Sequence, residues 1–242
     1  MNNWKNIWAK RSANFDILCN GDVKDIFLEL KRNNGFDVIG DGLSYEALLE
    51  QYQKTKELLS KENGSEELHI INSVYEIGCG SGANLYLFER DGIRCGGIDY
   101  SESLIEIAKK VLKTEDICCG EAIEVPVSNT YDAILSNSVF SYFEDEKYAS
   151  RVLEKMYQKS NYSIGIIDIH DVEKESAFLK YRKESVPDYE ERYKNLPKLF
   201  YNKSFFEKFA EEHNMDITFT DSEMDGYWNN EFVFNCYFYK RI

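Results

Sequence analysis

Between residues 69 and 170, short apolar runs alternate with stretches whose apolar residues recur every three or four positions. These are the patterns of strands and of amphipathic helices. The run His69-Ile-Ile with Val74-Tyr75 leads into a glycine-rich turn, and a helical pattern, Ala83–Arg90, follows. Further strands are predicted at Ile93–Asp99, Asp116–Cys119, Tyr131–Leu135 and Tyr162–Asp168. Between them lie helices over Glu102–Leu112, with Ser101 as cap and Leu104, Ile105, Ala108 and Leu112 on one face, and over Asp145–Lys159. Strand–helix alternation of this kind implies right-handed crossovers and a parallel sheet.

The flanks differ. Residues 1–65 read as helical: Trp4, Ile7 and Trp8 share a face, Asp22 caps Val23–Arg32, and Ser44 caps a helix with the stripe Leu48, Tyr52, Thr55 and Leu59 ending at Glu62-Asn-Gly64. Residues 172–203 break the rhythm, with tyrosines among charges and Pro187 and Pro197 as punctuation. Ser204-Phe-Phe-Glu207 reads as a capping box for a helix to about His213, and strands close the chain at Met215–Thr220 and Phe232–Tyr239. No linker divides the chain. The expected organisation is a helical N-terminal segment over residues 1–65, then one domain over 66–242 with an irregular insertion at about 172–203.

Composition narrows the function. The net charge of −14 repels phosphate backbones, so nucleic acid and anionic membranes are disfavoured partners and a small molecule is expected. No apolar run approaches a membrane span, and the first eight residues lack the core of a signal peptide, which points to a cytoplasmic protein; a monomer or homodimer is expected. The six cysteines show neither a C-x-x-C pair nor a histidine at ligand spacing, so reduced, mostly buried thiols are expected and no metal site.

The chemistry centres on Glu76-Ile-Gly-Cys-Gly-Ser-Gly82. Gly78, Gly80 and Gly82 leave a turn almost free of side chains, able to bend through positive φ and to let a ligand lie on the amides that open the next helix. The spacing is G-x-G-x-G, not the G-x-G-x-x-G of a dinucleotide site. Asp99, at the tip of the next strand, is placed to accept both hydroxyls of a ribose. The strand tips supply no Lys or Arg for a pyrophosphate, which suits a cationic sulfonium nucleoside better than NAD.

Glu76-x-Gly-x-Gly-x-Gly together with Asp99 resembles the class I S-adenosyl-L-methionine (SAM)-dependent methyltransferases. The resemblance covers about residues 69–170 and implies a doubly wound, mostly parallel seven-stranded α/β sheet of Rossmann-like type, its last strand antiparallel, with residues 1–65 as an N-terminal helical lid over a SAM-binding domain at 66–242 and 172–203 as its acceptor-site insertion. It implies SAM as cofactor and S-adenosyl-L-homocysteine (SAH) as product. It assigns cofactor contacts to Glu76, Gly78, Cys79, Gly80, Gly82, Asp99 and Tyr100, and adenine recognition to Glu121 and Ala122, where the family usually has Asp. Ser136 and Asn137 offer polar groups for the methionine end, and Arg11 is the candidate for its carboxylate.

For the acceptor, His170 between Asp168 and Asp171 is the preferred base, with Tyr142 and Tyr201 as alternatives; an amine needs none. The fourth strand tip lacks the Asn/Asp-Pro-Pro-aromatic signature of nucleobase-amine methylation, and no Pro-Cys pair offers a cytosine nucleophile. Ser-x-Ser-Val-Phe-x-Tyr-Phe, the Ile-Asp-Ile-x-Asp tip and Phe234-Asn235 resemble a bacterial small-molecule subgroup associated with surface glycans. That resemblance implies O-methylation of a sugar, nucleotide-sugar or capsule polysaccharide precursor, a phosphoramidate group included. The alternatives are an N-methyltransferase of a small amine, a non-catalytic SAM-binding protein and an NAD-dependent oxidoreductase.

Overall fold

The computed structural model describes residues 4–8, 11–40, 42–61 and 69–241. Four helices come first, α1 (Trp4–Trp8), α2 (Phe15–Asn20), α3 (Val23–Asn33) and α4 (Tyr45–Ser60). Strand and helix then alternate through β1 (Ser73–Ile77), α5 (Ala83–Arg90), β2 (Arg94–Asp99), α6 (Glu102–Val111), β3 (Ile117–Cys119), β4 (Tyr131–Asn137), α7 (Glu146–Lys159) and β5 (Ser160–His170). The chain ends with α8 (Glu175–Ser185), α9 (Tyr189–Arg192), α10 (Lys203–Glu212), β6 (Met215–Asp221) and β7 (Val233–Lys240).

Among the described residues the seven strands form one sheet in the order β3-β2-β1-β4-β5-β7-β6. β1 to β5 are parallel, while β7 is antiparallel to both β5 and β6, so the sheet is mixed. From β1 the chain winds outward through β2 and β3, then returns to place β4 on the other side of β1. The carboxyl ends of β1 and β4 therefore flank a switch point, where such sheets leave a crevice.

Helices cover both faces. α3, α4, α5 and α6 bury Phe27, Leu30, Leu48, Phe88 and Leu104 in one cluster, and α7 and α10 bury Val152, Met156 and Phe206 in the other. The stripe Leu48, Tyr52, Thr55 and Leu59 is buried, and Ser44 Oγ accepts from the Ala47 N–H at 3.1 Å. α3 and α4 thus share a core with the sheet. The expected boundary at 65/66 and the stop at Glu62-Asn-Gly64 lie outside the described residues.

Local departures have local causes. Ile70 is 77% exposed, and β1 begins at Ser73. Residues 172–203 contain α8 and α9, invisible to periodicity because Phe178 is the one buried residue that α8 offers. Asn202, not Ser204, caps α10, accepting from the Ser204 N–H at 2.9 Å. Ser101 precedes α6 but makes no cap bond; its hydroxyl donates to the Trp8 carbonyl at 3.3 Å. Cys79, Cys95 and Cys236 are buried, whereas Cys19 and Cys119 are exposed. No helix among the described residues is long and apolar enough to cross a membrane.

Candidate active site

A cavity of about 680 Å³ opens at the carboxyl ends of the central strands. Its inner wall is the turn after β1. Gly78 and Gly80 stand at φ +74° and +55°, and both are also sterically obligatory. A Cβ at Gly78 would meet Val139 Cγ2 at 2.3 Å, and one at Gly80 would meet Asn34 Oδ1 at 2.4 Å. Asn34, at the end of α3, accepts from both the N–H and the hydroxyl of Ser81 at 2.8 Å, pinning the turn to the N-terminal helices. Asp99 accepts from the Gly80 N–H at 3.0 Å and the Ser101 N–H at 2.8 Å, one per carboxylate oxygen. Burial raises its pKa and those two bonds oppose the rise.

Behind the turn lies a buried relay. Lys31 Nζ donates to Asn84 Oδ1 at 2.9 Å, and Asn84 Nδ2 donates to Glu76 Oε1 at 2.6 Å. Burial pushes the Lys31 amine down and the Glu76 carboxyl up, since each charged form gives up its hydration. Glu76 Oε2 is buried and has no hydrogen-bond partner. An acceptor left so costs about 1–3 kcal/mol until something donates to it, and all three residues line the cavity.

The opposite wall comes from the β4 tip, the end of β5, the segment before α10 and the β6–β7 loop. Asp168 sits at φ +63° where β5 and β7 slip in register. Its carboxylate accepts from Ser138 Oγ at 2.6 Å, Tyr227 Oη at 2.9 Å and Asn229 Nδ2 at 3.0 Å. Lys198 Nζ lies 4.8 Å from the centre of the Tyr142 ring and 3.4 Å from His170 Nε2. Burial lowers its pKa to about 8, with Asp168 opposing and Arg182 adding to the fall. From the start of the chain, Trp4 packs edge-on against Tyr142 at 4.8 Å and its indole donates to the Pro197 carbonyl at 2.9 Å, while Trp8 lines the cavity.

Of the residues singled out from sequence, Glu76, Gly78, Gly80, Asp99, Tyr100, Glu121, Ala122, Asn137 and Tyr142 meet on this cavity. Glu121 also caps a short 3₁₀ turn, Ala122–Glu124. Others do not reach it. Cys79 is core, its sulfur within 3 Å of where a Gly97 Cβ would stand, and Gly82 packs under Leu112. Ser136 is fully buried in β4, and Arg11 lies over the Trp8 ring at 5.2 Å, outside the lining. His170 is 1% exposed, boxed edge-on by Phe178 and Phe200, and Lys198, not His170, lines the cavity. Tyr201 is 0% exposed and donates to the Phe140 carbonyl at 2.9 Å, a core role. Lys31, Lys198, Tyr227 and Asn229 were missed because each lies far in sequence from the glycine turn and carries no local motif, and Asn84, two residues past Gly82, was read only as part of the helix that follows.

Residues 75–161 match the family described as "Methyltransferase domain". The malonyl-[acyl-carrier protein] O-methyltransferase of Priestia megaterium (strain DSM 319 / IMG 1521) is 33% identical over 94 residues. That match spans 36% of this chain and 32% of the relative, about a third of its length. The plantazolicin methyltransferase BpumL, solved with SAH, has a TM-score of 0.59 at 19% identity, covering 99% of this chain and 96% of its own. The magnesium protoporphyrin IX methyltransferase of Synechocystis PCC 6803, also with SAH bound, has a TM-score of 0.59 at 13% identity, covering 90% and 98%.

Proposed function

We propose that the chain, whose residues 75–161 match a methyltransferase domain, is a class I SAM-dependent methyltransferase that transfers the methyl group of SAM to a small-molecule acceptor held on the outer wall of the same cavity. The observation that carries this reading is the orphaned Glu76 Oε2 beside a turn that admits no side chain. A buried carboxylate oxygen without a donor, next to an open backbone, suits an amino-acid ammonium.

On this reading Glu76 holds the ammonium of the methionine end. Lys31, with one of its three donors spent on Asn84, takes the carboxylate in place of Arg11. Asp99 retains one free lone-pair direction on each oxygen for the ribose hydroxyls, and Glu121 with Ala122 receives the adenine. Bound SAM supplies a methyl already activated on a cationic sulfur. The protein's share is alignment and exclusion of water, and proximity of this kind is worth about 7–11 kcal/mol. Trp4 and Trp8 make α1 a cover over the pocket.

A sugar or capsule precursor draws no support from the comparisons, whose proteins are named for magnesium protoporphyrin, plantazolicin and a malonyl-acyl-carrier protein. On the outer wall the Asp168 carboxylate is already committed to Ser138, Tyr227 and Asn229.

Calorimetric titration with SAM and SAH, with NAD as control, tests the reading. Saturable binding of the first two and none of NAD is expected, and Asp99→Ala is expected to weaken SAH by more than about tenfold. No saturable binding of SAM or SAH at millimolar concentration overturns it.

A further inference from the structure

The outer wall shows which acceptor it is built for, provided the inner wall holds SAM. Its surfaces are rings: Phe36, Tyr142, Tyr227 and Trp228 all line it. Among them stands one amine. Lys198 has no carboxylate within ion-pair distance among the described residues, although the chain carries a net charge of −14 and Lys54, Lys56 and Lys183 are each paired. Among the described residues its hydrogen-bond contact is His170 Nε2 at 3.4 Å. A lysine that donates there requires the Nε2 lone pair, so His170 carries its proton on Nδ1 and donates it to Ser141 Oγ, 2.8 Å away. Burial, with the Lys198 and Arg182 charges adding, holds the imidazole neutral. Ser141, His170 and the flanking phenylalanines thus form a stiff seat beneath the amine.

A second group on this wall lacks a partner. Asn229 is 2% exposed, its amide nitrogen is committed to Asp168, and its Oδ1 accepts from nothing among the described residues. Among the described residues the wall therefore offers flat apolar faces, a cation without a carboxylate partner and a buried acceptor without a donor. The expected base, His170, does not face it.

We propose that the methyl acceptor is a planar, π-rich molecule bearing an anionic oxygen, a carboxylate or a phenolate, with the oxygen paired to Lys198, the ring against Tyr142 and Trp228, and His170 as the positioning residue for the amine. The step balances without a base. The acceptor oxygen forms the new C–O bond as the C–S bond of the sulfonium breaks, and the anionic oxygen and cationic sulfur both end neutral. A carboxylate arrives ionised at neutral pH. A phenol surrenders its proton to solvent on binding, which the Lys198 charge favours.

The experiment uses the whole chain saturated with SAH and titrates 2-naphthoate and 4-nitrophenol, with 2-naphthamide as the neutral match, hexanoate as the non-aromatic anion and glucose as the sugar. Trp fluorescence and calorimetry give the affinities. At least one aromatic anion is expected to bind about tenfold or more tighter than the amide, hexanoate or glucose; which of the two does so separates carboxylate from phenolate. Lys198→Met is expected to abolish that preference with SAH affinity kept.

His170 is read from the pH at which anion affinity is lost as Lys198 deprotonates, in a field that includes Asp168, Arg182 and Tyr142. His170→Gln, which keeps an acceptor for the amine, is expected to retain that midpoint, and His170→Phe to move it. If both variants behave alike, the positioning role falls. If SAH binds but aromatic anions show no preference, or Lys198→Met leaves one intact, the acceptor assignment falls alone. If SAH itself fails to bind, the SAM reading falls first and takes this assignment with it.

Discussion

Lys31 and Glu76 meet through a single side chain: Asn84 accepts from the lysine at 2.9 Å and donates to the carboxylate at 2.6 Å. Residues 53 positions apart, on α3 and α5, are thereby joined to the strand that feeds the glycine turn. Glu76→Gln keeps the shape of this relay and puts an amide donor in place of the unpartnered acceptor Oε2. SAH affinity is expected to fall by about 10- to 100-fold, with little change in the urea midpoint. Calorimetry on the variant decides it, and unchanged affinity would remove Glu76 from the ammonium site.

Gly80→Ala tests the turn. The position combines φ +55° with an Asn34 oxygen 2.4 Å from the would-be Cβ. The left-handed backbone alone costs about 1–2 kcal/mol, and relief of the contact detaches α3. Both the urea midpoint and SAH affinity are expected to fall. An alanine variant as stable and as tight as the parent would show that the turn is not held to this geometry.

Lys198 works against the fold. Its amine has a pKa lowered from 10.5 to about 8, so below that value the folded state bears the full penalty of a partly buried ammonium. At pH 7, Lys198→Met is expected to be more stable by about 1 kcal/mol, less than the whole shift because the side chain keeps some solvent contact. As pH rises from about 8 to 10.5 the unfolded chain holds one proton more than the folded one, the parent gains stability, and the gap closes. Urea melts across that window check the sign.

His170 has the same sign at lower pH. It stays neutral in the fold, so below its ordinary value of 6.5 the unfolded chain binds the extra proton. Stability then drops with pH by up to about 1.4 kcal/mol per unit. The drop between pH 6 and pH 5 is expected to be shallower in His170→Gln. Equal slopes would mean the imidazole is protonated in place.

The inner wall was legible because its signals are local. Glycines at 78, 80 and 82, an acid before them and another at the next strand tip all fall inside one strand–turn–helix–strand unit. Composition and periodicity likewise gave the caps at Asp22 and Ser44 and the buried stripe of α4. The outer wall was not legible, since it joins the β4 tip, the end of β5, Lys198 and the β6–β7 loop, which no spacing connects. His170 illustrates the gap. A histidine at a strand tip beside two carboxylates reads as a base, yet it is buried against Phe178 and Phe200, and its neighbour Lys198 lines the cavity instead. Arg11 and Lys31 show the same limit, because a lysine on an amphipathic helix gives no sign that it points inward.

Asn34 determines more than the shape of the turn. The Ser81 amide, which in a dinucleotide protein would greet an oxyanion, is already engaged by the carbonyl of this asparagine. A pyrophosphate entering here would have to evict the end of a helix. Discrimination against a pyrophosphate at this amide thus rests on occupancy by an element encoded 47 residues upstream, beyond the glycine spacing itself.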